Sequence, residues 1–247
     1  MHFWEYLVLF LAVIFGGAIA FFPHNLRQES LKLVVAFTGA YVLGVCLLDL
    51  LPSIYLDNPS AYIGLWIAGG FLIQLLLEHL SMGLEHGHIH AHSHEGRFKS
   101  LPILLGLSIH AFIEGMPLSG YHQLDVDSHH HAFEGMNYLL ISIILHKVPA
   151  AFALAIFLLN EHTSKKRVLV CLGIFAVSSP LGALSAQLIQ LPAHIFPYLL
   201  AIVVGSFLHI GTTIIYEADY EKHHRISLKK LLLIVLGLGL SSITLWG

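Results

Sequence analysis

Residues 138–159 read Tyr138-Leu-Leu-Ile-Ser142-Ile-Ile-Leu-His146-Lys147-Val-Pro149-Ala150-Ala-Phe-Ala-Leu-Ala-Ile-Phe-Leu-Leu159. A hydrocarbon core about 30 Å thick takes roughly 20 apolar residues in a helix, so this run is long enough to cross one. Near its middle stands Lys147. An ionisable side chain at membrane depth costs about 2.5 to 3.5 kcal/mol on insertion scales, so it faces a packed polar interior or a water-filled path rather than lipid. The run therefore predicts a membrane helix that carries one wall of a polar site.

Seven further runs of similar character flank it, at Phe3–Phe22, Leu31–Leu51, Ala61–Leu84, Leu101–Gly120, Val168–Ile189, Ile195–Tyr216 and Leu228–Trp246. The chain is 56% hydrophobic and 11% charged, with a mean hydropathy of +0.77, a balance that belongs to an all-α integral membrane protein. Little sequence lies outside the runs, which predicts one transmembrane domain over residues 1–247. The first run lacks a basic leader and a small-residue cleavage site, so it is expected to be retained as a helix. Cys46 and Cys171 fall inside runs and form neither a disulfide framework nor a zinc-ligand spacing.

The basic residues predict the orientation. Of the twelve, eleven are Arg27 and Lys32 after the first run, Arg97 and Lys99 after the third, Lys165, Lys166 and Arg167 after the fifth, and Lys222, Arg225, Lys229 and Lys230 after the seventh. Lys147 is the twelfth. The connections after the second, fourth and sixth runs have none, so the positive-inside rule puts both termini outside and the odd-numbered connections in the cytoplasm.

Histidine is the second anomaly, with nineteen in the chain. His86, His88, His90, His92 and His94 alternate in the connection of about residues 85–99. Imidazole suits borderline metals such as zinc, and a tract of this kind can gather several around one ion. The bland reading is a hydrophilic linker. On the opposite face, Asp125, Asp127, His129, His130 and His131 mix carboxylates with imidazoles.

Within the fourth run, His110 and Glu114 are four residues apart, on one helical face and about 6 Å apart along the axis. Together they can ligate a divalent cation, and Gly115 and Pro117 just beyond permit a local kink. An interhelical hydrogen bond is the structural alternative, although glutamate is a costly residue for simple fastening. His146 lies at a similar depth to His110 and becomes a third candidate ligand. Pro149 removes a backbone donor beside it. Asp49 could attract cations to an entrance, and His209 could line a route or make a packing hydrogen bond. Glu78, His79 and Glu85 sit where metal could pass to the histidine-rich connection.

These residues, in this order, resemble the ZIP (Zrt/Irt-like) family of divalent-metal transporters along nearly the whole chain. The carriers of the resemblance are Asp49-Leu-Leu-Pro52, Leu-Leu-Glu78, the histidine-rich connection, His110-x-x-x-Glu114-Gly115, His146-x-x-Pro149 and the run from Leu199 through Gly205 to His209. The resemblance implies eight transmembrane helices in a 3+2+3 arrangement, the outer triplets being inverted repeats. It also implies a metal pathway between the second, fourth, fifth and seventh helices, with His110, Glu114 and His146 at metal-ligand positions.

The departures are informative. Ala111 stands where many members have Asn, Lys147 where they have Asp or Glu, Ala150 where they have Glu or His, and Ser179-Pro180 where some have Glu-Pro. Most of a second set of oxygen ligands is missing and an ammonium has been gained, so Lys147 is expected to fill the second-metal space and pair with Glu114, leaving one metal site. Zinc is the expected cargo, with iron(II) or manganese(II) as alternatives and no resident cofactor. The expected setting is a multi-pass protein of a plasma or inner membrane, with a homodimer left open and no nucleic-acid partner, because the basic residues are spread over four connections. A transport-inactive or metal-sensing ZIP homologue is the main rival. An intramembrane zinc hydrolase is a weaker one, since no His-Glu-x-x-His run occurs, and the chain is not read as an enzyme.

Overall fold

The computed structural model describes residues 1–22, 28–57, 60, 62–84, 100–121, 137–217 and 227–245. Among these residues every regular element is helical: α1 (Phe3–Ile19), α2 (Gln28–Val45), a π turn (Cys46–Leu50), α3 (Leu51–Asp57), α4 (Tyr62–Ser81), α5 (Ser100–Gly115), α6 (Tyr138–Asn160), α7 (Lys165–Leu188), α8 (Phe196–Glu217) and α9 (Leu228–Ser241). Six helical stretches are long and apolar enough to cross a membrane, and α1 is a shorter apolar helix. The protein is a multi-pass membrane protein. The histidine-rich tract from His86 to His94 and the Asp125–His131 segment lie outside the described residues.

The second apolar run extends further than its sequence suggests. A stop near Leu51 is expected from Pro52, yet the helix passes through the π turn and continues to Asp57. Proline has no N–H to donate, and its ring crowds the carbonyl one turn earlier. The wider turn, in which Leu51 N–H reaches back to the Cys46 carbonyl, absorbs the misfit without ending the helix. Past Gly115, α5 tightens into a 3₁₀ turn at Met116–Ser119 with Pro117 near its start. At the start of α6, Asn137 Oδ1 accepts from Leu140 N at 2.9 Å, satisfying a donor that the first turn would otherwise leave orphaned.

The helices pack in two groups. In one, α1 lies along α6 and α7, and α5 along α7; in the other, α4 lies along α8, and α2 along both α8 and α9. Small residues set how closely they approach. A Cβ on Gly16 of α1 would run into the Val148 backbone of α6, and one on Gly182 of α7 into the Phe112 backbone of α5. Such contacts let packing replace the hydrophobic drive that lipid cannot supply between helices. The two groups meet where α5 lies on α4 and α6 on α2, and the buried His110, Glu114, His146 and Lys147 lie on α5 and α6 beside this seam.

Candidate metal centre

Glu114, on the last turn of α5, is 1% exposed and gathers partners from two helices. Its Oε1 lies 2.5 Å from His110 Nε2, one turn earlier on α5, and 2.7 Å from His146 Nε2 on α6. One ligand atom from each of His110, Glu114 and His146 lies within 4.8 Å of the others. Among the described residues this is the one group of three or more His, Cys, Asp and Glu side chains that converges in this way. Two imidazoles and a carboxylate suit a borderline divalent cation, and three protein ligands leave a coordination position open.

The other carboxylate oxygen has a different environment. Oε2 accepts from Lys147 Nζ at 3.2 Å, and the same ammonium bonds Ser179 Oγ of α7. Ser179 Oγ in turn reaches the Ala111 carbonyl at 2.6 Å, and Nζ stands 5.6 Å from the centre of the Phe175 ring. Lys147 is 1% exposed, the largest of the fully buried side chains. An anion on one side, a hydroxyl on another and an aromatic face are what a buried ammonium requires. The positions around it, Ala111, Ala150 and Ser179, bring no carboxylate.

A cavity reaches the group. Beyond His110, Glu114, His146 and Lys147, its walls include Val35 and Thr38 in the middle of α2 and Ile210 and Ile214 in the last third of α8. Leu107, one turn before His110 on α5, also lines it. The opposite side is packed, with Val45, Leu50, Ile143 and Phe207 in one buried apolar cluster. The Phe207 ring stands edge-on to His146, with centroids 5.0 Å apart.

Asp49 and His209 do not join the convergent group. Asp49 sits in the π turn, 5% exposed, where its Oδ2 accepts from Tyr121 Oη at 3.3 Å. It is a buried carboxylate. His209 Nε2 pairs with Glu78 Oε2 across the α4–α8 contact, with the Phe71 ring edge-on at 4.7 Å. His79, next to Glu78, is exposed. Three polar residues passed over in the sequence reading also touch the site. Ser142 supplies a carbonyl to His146 Nδ1 at 2.6 Å, and Ser206 lies between His110 and Gln74. For Ser206 and Gln74 the one sequence signal is polarity inside an apolar run, whereas position 142 acts through its backbone carbonyl and carries no side-chain signal.

Residues 84–244 match the family described as ZIP Zinc transporter. Similar proteins include Zinc transporter ZIP9-B of Xenopus laevis, 28% identical over 125 residues, covering 51% of this chain and 39% of that one. Protein zntD of Dictyostelium discoideum is 29% identical over 180 residues, covering 66% of this chain and 25% of its own. Zinc transporter ZIP1 of Danio rerio is 24% identical over 260 residues, covering 85% and 83% of the two chains. The match to the first of these spans about two-fifths of its length, 39%. Because the family match takes in more than half of the chain and includes α5 to α9 with the converging His110, Glu114 and His146, this protein belongs to the ZIP zinc transporter family.

Proposed function

We propose that the protein carries divalent cations across the membrane, zinc first, through a single intramembrane site made by His110, Glu114 and His146. The observation that carries this reading is the convergence of three ligand atoms within 4.8 Å in the buried seam between the helix groups. The relatives named zinc transporters support it. Two imidazoles favour zinc over manganese, with iron(II) between them. Lys147 acts as a fixed counter-ion in the space beside Glu114, so a second cation there would meet an ammonium rather than a ligand. The protein is a transporter, not an enzyme.

We infer one domain over residues 1–247, with eight crossings in a 3+2+3 order and both termini extracytoplasmic. The packing supports an inverted repeat: the α1–α6 contact is echoed by α7–α5, and the α4–α8 contact by α9–α2. With this orientation Val35 and Ile214 lie on the cytoplasmic side of the site. Asp49 then lies on the outer approach to the site, while the His209–Glu78 pair lies on the inner side, toward the histidine-rich tract from His86 to His94. A plasma or inner membrane is the expected location.

Uptake of radiolabelled zinc into proteoliposomes tests the reading. Saturable uptake that falls to background in His110→Ala and in Glu114→Gln supports it. The second reading, a metal-sensing homologue that does not transport, draws on the Lys147–Glu114 contact, which occupies a ligand position of the metal centre. Zinc binding that needs Glu114 but produces no flux would favour that reading.

A further inference from the structure

Each imidazole at the metal centre is held on its far nitrogen, and the two are held by different parts of the molecule. His146 Nδ1 lies 2.6 Å from the Ser142 carbonyl oxygen. A carbonyl oxygen only accepts, so Nδ1 carries the ring proton in this contact and Nε2 is the atom turned to Glu114. This lock is internal to α6. It moves wherever α6 moves.

His110 is held from outside its own helix. Its Nδ1 lies 3.3 Å from Ser206 Oγ of α8, and Ser206 Oγ donates at 2.9 Å to Gln74 Oε1 of α4. A serine hydroxyl has one proton, and with that proton directed at Gln74 its oxygen is left to accept from His110 Nδ1–H. Gln74 is fully buried and Ser206 is 5% exposed, so water does not substitute freely for either. Partners of this kind on the far nitrogen fix the tautomer and the ring plane of a ligating histidine.

We propose that Ser206 and Gln74 are positioning residues for His110, keeping its proton on Nδ1 and aiming Nε2 at Glu114, so that the metal centre is complete only while α5 is docked on α4 and α8. The inference rests on the metal reading above and adds a condition to it. The third ligand of the site is assembled across the seam between the two helix groups. A shift of α5 along that seam breaks the Ser206 contact and frees the His110 ring, and it carries Glu114, on the same helix, relative to His146 of α6.

Zinc uptake into proteoliposomes by the full chain tests this, with the half-saturating zinc concentration as the readout. Loss of a partner to a ligating histidine typically weakens metal affinity about 10- to 100-fold, so Ser206→Ala should raise that concentration about 10-fold or more, with a much smaller change in maximal rate. Ser206→Thr, which keeps the hydroxyl, should restore the wild-type value. Gln74→Leu should raise it too, because the freed Ser206 hydroxyl would donate to Nδ1 and drive the ring proton onto Nε2. Gln74→Glu, which keeps an acceptor, should not raise it. Unchanged half-saturation in both Ser206→Ala and Gln74→Leu, alongside a dead His110→Ala, would overturn the positioning role and leave the metal site standing. A Ser206→Thr protein as impaired as Ser206→Ala would also overturn it, since packing alone would then account for the loss. No saturable uptake by the wild type would overturn the metal reading and this inference with it.

Discussion

The two sides of Glu114 are built for different occupants. On the Oε1 side, two imidazole nitrogens stand 2.5 Å and 2.7 Å away, and the helices approach closely enough to bring three ligand atoms together. On the Oε2 side, the Lys147 ammonium is already in place at 3.2 Å, backed by Ser179 and the Phe175 face. The same carboxylate thus faces two imidazoles on one side and a cation tethered to α6 on the other. The contrast teaches that one buried carboxylate can present an imidazole-lined face and a charge-paired face at once, the positive charge of the second being supplied by the chain itself. Unlike an ion, that charge cannot leave with the cargo.

Removing the shared anion breaks both sides. Glu114→Gln should lower zinc uptake about 100-fold or more, because an amide oxygen neither ligates zinc as a carboxylate does nor balances the ammonium; uptake above a tenth of wild type would contradict the assignment.

Removing only the ammonium separates the sides. In Lys147→Met the metal-free protein should lose about 3 kcal/mol of stability, the usual scale for unpairing a buried charge. Saturating zinc should shrink the loss relative to wild type, because without the competing ammonium the ion binds Glu114 more tightly and linkage adds that tighter binding to the variant's stability. Thermal unfolding in detergent with and without zinc reads both effects, and equal losses in the two conditions would show that Lys147 does not share Glu114 with the ion.

Converting the lysine side into a ligand set sharpens the comparison further. Lys147→Asp combined with Ser179→Glu exchanges the ammonium for carboxylates near Glu114, and bound zinc measured by elemental analysis should rise by one ion per chain. No rise would show that the space beside Glu114 cannot accept a metal even when ligands are supplied.

The smallest effect is expected far from both sides. Asp49→Asn should lower uptake roughly two- to five-fold at low ionic strength, with little change in salt, because a carboxylate outside the converging group acts on the ion through longer-range attraction that salt screens. A loss as large as that of Glu114→Gln would place Asp49 among the ligands.

Much of this was legible in the chain. The helical content followed from the length and composition of the apolar runs, and the shared face of His110 and Glu114 followed from their four-residue spacing. Lys147 stood out because nothing else basic lies at mid-span. The course of the helix through Asp49 was not legible, because a π turn is a local answer to Pro52 that depends on what surrounds it, and Tyr121 arrives from 72 residues away. Ser206 and Gln74 were illegible for a similar reason. Serine and glutamine occur widely in membrane helices as packing residues, and their relation to His110 exists only after α4, α5 and α8 meet, across sequence separations of 132 and 96 residues.

The most direct test of the central claim is anomalous X-ray scattering at the zinc edge from crystals grown with zinc. One peak between His110, Glu114 and His146, with no density for metal beside Lys147 Nζ, and loss of that peak in His110→Ala, is the result this account predicts. A second peak on the Lys147 side of Glu114, or no peak at the histidines, would contradict it.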